Sequence, residues 1–273
     1  MGLMQWRLAG LALTMAGLLW AGQAAAVPCE PSGGFNVWLE AFKREALSRG
    51  FSQRTVSALN GVSYDRKVIS LDRNQRVFKQ SFQKFAGRMV NKSRLSRGAR
   101  LLRSHARLLS GIERRYGVPG PVIVAIWGLE SDYGANMGNR SVLRALATLA
   151  YDCRRTDMFQ RELIAALTII QRGDLSPRQM RGAWAGELGQ TQFLASNYVK
   201  FGVDYDGNGR RDLIRSVPDV LASTANYLRG YGWRPGGSYA EGSHNFNVIR
   251  QWNKSTVYSK TVAYFAARLA ATQ

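Results

Sequence analysis

Two histidines, two cysteines and 18 acidic residues are all that this 273-residue chain offers of the side chains that most often carry hydrolytic and metal chemistry. A Ser-His-Asp or Cys-His nucleophile needs a histidine with a partner. His105 lies in a basic helical stretch and His244 in a polar turn, and no Gly-x-Ser-x-Gly elbow follows a strand, so the sequence argues against nucleophilic triads. A helix bearing two His around a Glu is absent, as is a phosphate-cradling Gly loop with its Lys. Strand signals are sparse, and there is neither an internal repeat nor a low-complexity linker. What the chain has in excess is Lys and Arg, 38 in all, for a formal charge of +20.

The first residues carry one charge, Arg7, and an apolar stretch at 8–20 that ends before Ala24-Ala25-Ala26. This pattern predicts a cleaved signal peptide at 1–26 and a mature chain starting near Val27. A retained anchor is the alternative, but the apolar run is short for a membrane span. Cys29 lacks the preceding small-residue run of a lipid-modified cysteine, so no membrane anchor is expected after cleavage. Removing residues 1–26, with one Arg and no acid, leaves +19, because 20 − 1 = 19. That excess favours a polyanionic partner. In an exported, periplasmic protein the partner would be an acidic wall polymer or an anionic membrane face rather than nucleic acid. Charge serving solubility alone is the plain alternative. In an oxidising compartment the even cysteine pair, Cys29 and Cys153, predicts a disulfide.

Apolar periodicity reads as helix nearly throughout. Helices are expected at 35–49 (stripe Trp38, Phe42, Ala46), 72–90 (Val77, Phe78, Phe82, Phe85, Met89), 97–116, 122–130, 142–151, 157–171, 218–229 and 256–269. The helix at 122–130 follows Pro119 and Pro121, is apolar on all sides and should therefore be central. Short strand signals lie within 232–247. The irregular, Gly-rich parts are 173–189 and 204–212, where sites tend to sit.

With histidine chemistry set aside, acids remain. Glu130 ends the apolar run in Ile126-Trp127-Gly128-Leu129-Glu130-Ser131-Asp132-Tyr133-Gly134. Desolvation favours its neutral form, and a carboxylic acid still protonated near neutral pH can protonate a leaving group. An ordinary surface Glu at a helix end is the alternative. A two-carboxylate glycosidase would pair Glu130 with Asp132 or with Glu187, which stands in the small-residue stretch Gly182-Ala183-Trp184-Ala185-Gly186-Glu187. A tight helix-packing loop is the alternative for that stretch. Asp204, Asp206, Asn208 and Gly209, with the backbone carbonyl of Arg210, match the opening of a calcium loop. Its twelfth position is Arg215 rather than Glu, leaving Asp219 to close the shell; an Asx-rich turn is the alternative.

These segments, in this order, resemble the lytic murein transglycosylases of the membrane-bound transglycosylase B family, glycoside hydrolase family 103. The likeness runs from about Phe35 to the C-terminus. It rests on Tyr116-Gly117-Val118-Pro119, Ile126 to Glu130, Ala145 to Leu149, Gly182 to Phe193, Val203 to Gly209, Ala225 to Leu228, Gly232-Trp233 and Asn245 to Tyr258. It implies a mainly α fold: a lysozyme-like helical core, a helical N-terminal lobe and a small irregular subdomain holding an EF-hand-like loop. One transglycosylase domain would span 27–273, with an N-terminal part at 27–116 and a catalytic core at 117–273.

The implied substrate is the peptidoglycan glycan strand, bound by a monomer with no catalytic cofactor and a structural Ca2+ as the candidate ion. Glu130 would be the sole acid, then base: it protonates the MurNAc–GlcNAc bond oxygen, then takes the muramoyl 6-hydroxyl proton as a 1,6-anhydro ring closes, with the N-acetyl group assisting. Arg154 and Arg155 match paired arginines suited to substrate carboxylates. Gln192, Phe193, Tyr227, Trp252, Asn253 and Tyr258 match groove residues. Asp204, Asp206, Asn208, Arg210 and Asp219 match the calcium loop. Three positions depart: Ala183 stands where a Ser usually orients the acid, with Tyr227 or a water as substitutes, Glu187 stands where the founding pattern has Ala, and Asn208 stands in place of an acid, which lowers the loop's negative charge and its expected calcium affinity. A hydrolytic muramidase and a non-catalytic peptidoglycan-binding protein are the alternatives.

Overall fold

The computed structural model describes residues 27–74 and 80–273. The signal-peptide reading of 1–26, and Val77 and Phe78 of an expected helical stripe, lie outside the described residues. In chain order the helices are α1 (Gly34–Ser48), α2 (Gln53–Val56) running into a 3-10 turn (Ser57–Leu59), α3 (Arg66–Arg73), α4 (Phe82–Met89), α5 (Lys92–Ser104), α6 (Ala106–Tyr116) and α7 (Gly120–Ser131). After strand β1 (Arg140–Ser141) come α8 (Val142–Tyr151) and α9 (Thr156–Gln171), then β2 (Arg181–Gly182), α10 (Ala195–Phe201), α11 (Val217–Gly230), α12 (His244–Trp252) and α13 (Thr256–Ala270). The mainly α expectation holds.

Side-chain caps explain where several helices begin. Ser81, Asn91, Ser141, Ser216, Ser243 and Ser255 each accept a backbone N–H two or three residues into the following helix, satisfying a donor that the helix itself cannot. Caps of this kind and the backbone at His105 account for three differences from the periodicity reading. The helix expected at 72–90 is two, because Asp65 caps α3 early and Ser81 opens α4. The helix expected at 97–116 begins at Lys92 and breaks at His105, whose backbone (φ −107°, ψ 19°) ends α5 and starts α6. The strand signals at 232–247 give turns and then α12; the described strands are β1 and β2, paired antiparallel. Helices α10 and α12 had no periodic stripe long enough to stand out.

α7 is the axis of the molecule. Every residue from Gly120 to Leu129, and Ser131, is buried. It packs against α13, α5, α11 and α6, while α8 and α9 form a hairpin carrying α1, α3 and α10. Cys29 and Cys153 are joined, with Cα atoms 5.2 Å apart. The bridge ties the N-terminal segment to the turn after α8, reinforced where Glu30 N–H donates to Tyr151 O at 3.2 Å.

Candidate active site

Glu130 is the one residue of α7 that is not buried. A helix with no polar face can place a carboxyl at a groove only at its end, and the chain turns sharply there. Asp132 and Tyr133 adopt left-handed backbone (φ 51° and 59°). The Tyr133 ring then folds back over Gly128, where a Cβ would stand 2.8 Å from the ring, so position 128 must be Gly. Glu130 lines a cavity of about 380 Å³ together with Arg155, Phe159, Trp184, Glu187, Gln192, Phe193, Tyr227, Trp252 and Asn253. Protein encloses the carboxyl on nearly every side while leaving it a face to this cavity. Burial lifts its pKa from 4.5 to about 7, with hydrogen bonds from Tyr258 and Trp252 pulling the other way and the nearby Glu187 charge adding to the rise.

Both donors aim at one oxygen. Tyr258 O–H donates to Glu130 Oε1 at 2.6 Å and Trp252 Nε1–H donates to the same atom at 2.8 Å. Oε2 receives neither of these bonds. The orienting role that Ala183 cannot fill is thus taken by two aromatic donors from α12 and α13. Tyr227 does not substitute for the missing Ser: its O–H donates to Gln251 O at 2.6 Å. Its ring instead meets Trp252 at 4.7 Å and Phe193 at 6.0 Å, and Phe193 meets Trp252 edge-on at 5.2 Å. The Tyr227 and Phe193 rings thus brace the indole that holds the acid.

The stretch from Gly182 to Phe193 forms the opposite wall as a tight irregular loop. Gly182 bridges to Leu188, Leu188 bridges to Phe193, and Ala183 N–H donates to Glu187 O at 2.9 Å. A Cβ at Gly182 would lie 1.9 Å from Glu187 O. Gln190, which sequence reasoning passed over, locks this loop to α7. It accepts from Trp127 Nε1 at 2.9 Å, donates through Nε2 to Ile214 O at 2.9 Å, and its carbonyl accepts from Ser131 Oγ. Only its position inside the motif marked it beforehand. Gln192 lines the cavity with its amide turned back on Met137 O (3.1 Å) and Gly189 O (2.8 Å), and Asn253 lines it with Oδ1 accepting from Ser255 N.

The other acids separate. Asp132 pairs with Arg94 at 3.1 Å and Arg97 at 3.5 Å, away from the cavity, which removes it as a partner for Glu130. Glu187 lines the cavity; burial raises its pKa, partly offset by its own and Ala185 backbone N–H groups and by Arg155. The paired arginines also diverge. Arg155 lines the cavity, whereas Arg154 does not. Both ion-pair with the buried Asp72, and Arg154 Nε donates to it at 2.8 Å. Burial alone would raise the Asp72 pKa, yet the two guanidiniums hold it below the usual carboxylate range. Asp72 had no sequence signal, because Arg154 and Arg155 lie 82 and 83 residues further on.

Asp204, Asp206 and Asp219 bring carboxylate oxygens within 4.8 Å of one another. Asp219 is fully buried and accepts N–H groups of Tyr205 (2.7 Å) and Asp212 (2.8 Å), so it braces the loop from the start of α11. Asn208 Oδ1 accepts from Arg210 N at 3.0 Å. An all-oxygen set of this kind, with a buried acid whose pKa is raised by burial and by Asp206, fits a hard divalent cation.

Known proteins bear on this geometry. Residues 34–242 match the transglycosylase SLT domain family. The chain is 38% identical over 126 residues to membrane-bound lytic murein transglycosylase B of Escherichia coli (strain K12); the match spans 46% of this chain and about a third, 35%, of that relative's length. SltB3 from Pseudomonas aeruginosa, solved with NAG-NAM-pentapeptide, superposes with a TM-score of 0.81 at 34% identity over 86% of this chain and 79% of that one. The same protein with NAG-anhNAM-pentapeptide gives 0.79 at 34% identity over 85% and 78%. By a family match that covers most of its length, the chain belongs to the transglycosylase SLT domain family.

Proposed function

We propose that this protein is a lytic transglycosylase that cleaves the MurNAc–GlcNAc β-1,4 bond of peptidoglycan and leaves 1,6-anhydro-MurNAc ends. The observation that carries the reading is Glu130: one carboxyl at the end of a wholly buried helix, facing a cavity, with a pKa of about 7 that keeps much of it protonated at neutral pH. Such an acid gives its proton to the glycosidic oxygen and then, as carboxylate, takes the proton of the muramoyl 6-hydroxyl as that oxygen closes on C1. Trp252 and Tyr258 hold Oε1, so one oxygen is oriented through both steps. Arg155, Gln192, Phe193, Tyr227 and Asn253 line the groove as substrate contacts, and Arg154 acts from behind through Asp72. The 34%-identical relative solved with NAG-anhNAM-pentapeptide supports a product of this class.

The chain works on wall strands after export to the periplasm as a monomer, its leader at 1–26 removed. No helix of the described residues is long and apolar enough to cross a membrane. Asp204, Asp206, Asn208, the Arg210 carbonyl and Asp219 would hold a structural Ca2+ remote from the proton transfers. A hydrolytic muramidase is the second reading, favoured by Glu187, a further carboxyl on the cavity wall. Mass analysis of digested sacculi decides: 1,6-anhydro ends from the wild type, and no turnover by Glu130→Gln, are expected. Ordinary reducing ends would promote the muramidase.

A further inference from the structure

Glu187 is a charge that the chemistry described above does not use. Glu187 lines the Glu130 cavity, and its Oε2 is shielded from water without a hydrogen-bond partner. Arg155 lines the same cavity, and its Nε is likewise buried and unpartnered. A buried acceptor and a buried donor left unmade each cost free energy, so a fold that keeps both at one cavity keeps them for something that enters. The loop offers Glu187 little freedom to find another partner. Gly182, the Gly182–Leu188 bridge and the Ala183–Glu187 hydrogen bond fix the backbone, and Leu188 is fully buried. The last torsion of a Glu side chain is broad, so a turn of the carboxyl brings either oxygen to the cavity.

We infer that the Glu187 carboxylate accepts a hydrogen bond from the acetamido N–H of the N-acetylhexosamine whose C1–O bond faces Glu130. The inference rests on the glycan-cleaving reading above. The ligand class follows from placement and chemistry. Glu187 is close enough to Glu130 for their charges to interact, so the group it meets lies beside the bond being cut. On a 2-acetamido sugar the atom adjacent to C1 bears a secondary amide, with one N–H for Glu187 and one C=O. The stem-peptide amide, hung from O3, lies further from that bond.

The consequence is mechanistic. As the C1–O bond breaks, its electron pair goes to the leaving oxygen, which takes the Glu130 proton, and the acetamido oxygen bonds to C1. The resulting ring is cationic, with the charge shared by its N–H. A carboxylate on that N–H stabilises the charge and holds the acetamido oxygen against C1. When O6 attacks C1, the C1–acetamido oxygen bond breaks, the amide is restored, and the O6 proton passes to Glu130. This is substrate assistance with a protein carboxylate behind it, as substrate-assisted glycosidases use in place of a nucleophilic side chain.

The test compares wild type, Glu187→Ala and Glu187→Gln on sacculi and on sacculi whose muramoyl acetyl groups have been removed. On acetylated strands we expect kcat to fall about 30- to 100-fold in Glu187→Ala and about 10-fold in Glu187→Gln, which keeps an acceptor but loses the charge, with KM changed less than about two-fold. On de-N-acetylated strands, which lack the assisting oxygen, all three proteins should be slowed, and both variants should match the residual single-turnover rate of wild type within about two-fold. An equal loss on both substrates, or no loss on acetylated strands, overturns the contact. So does a loss that vanishes when stem peptides are stripped, which would assign Glu187 to the stem amide. Should Glu187→Ala fail to fold, the near-isosteric Gln variant carries the comparison. A wild type that yields only reducing ends would sink the lytic reading separately, because acetyl dependence still tests the contact in a hydrolase.

Discussion

Replacing Glu130 by Gln should abolish turnover and at the same time stabilise the protein, by an amount that depends on pH. The Glu130 pKa is about 7 in the folded chain against 4.5 for the ordinary side chain. Between those values the folded state holds a proton that the unfolded state has released, so stability falls as pH rises through the window from 4.5 to 7. Integrating that difference, Glu130 destabilises the fold by about 1 kcal/mol at pH 5 and about 3 kcal/mol at pH 8. Gln carries no charge at either pH and still presents an oxygen to Trp252 and Tyr258. The variant should therefore gain about 2.5 kcal/mol more at pH 8 than at pH 5, which for a chain of this size is a Tm difference of about 5–10 °C. Calorimetric melts of both proteins at the two pH values measure it, and comparing them at equal pH cancels the titrations that Glu130 does not influence. A Tm gain that is the same at pH 5 and pH 8 would refute the claim that burial holds the Glu130 proton.

Three further outcomes are expected. Tyr258→Phe removes a donor that favours ionised Glu130, so the high-pH limb of kcat/KM should move up by about one unit; a limb that stays or moves down contradicts the hydrogen bond as drawn. Gln190→Leu leaves Trp127 Nε1–H and Ile214 O without their partner in a buried site, which should cost about 2–4 kcal/mol in urea unfolding, and a loss under about 1 kcal/mol would mean the loop finds other anchors. Chelation should lower Tm and added calcium restore it, with Asp219→Asn abolishing the response; no shift in either direction removes the ion from the account.

Much of the site was legible before any coordinates. Glu130 was marked by its place at the end of an apolar run, and the aromatic and amide positions by the motifs around them. Asp132 and Glu187 looked equivalent as second carboxylates, because both stand in Gly-bearing turns. The left-handed turn after α7 sends Asp132 to Arg94 and Arg97, while the Gly182 bridge turns Glu187 inward. Arg154 and Arg155 are adjacent in the chain and share Asp72, yet only Arg155 lines the cavity, because adjacent side chains leave the backbone in different directions.

Composition, periodicity and local chemistry are properties of neighbours along the chain. The sequence by itself therefore determined the helical class, the central helix, the lone acid, the acidic loop and the cysteine pair. Which donor orients Glu130 was a matter of residues 122 and 128 positions away, on helices that meet α7 only after folding. Motif order pointed to a missing Ser at 183 and proposed Tyr227 or a water in its place. Packing answered with Trp252 and Tyr258, because the helices that bury α7 also decide which polar atoms face the one carboxyl it carries.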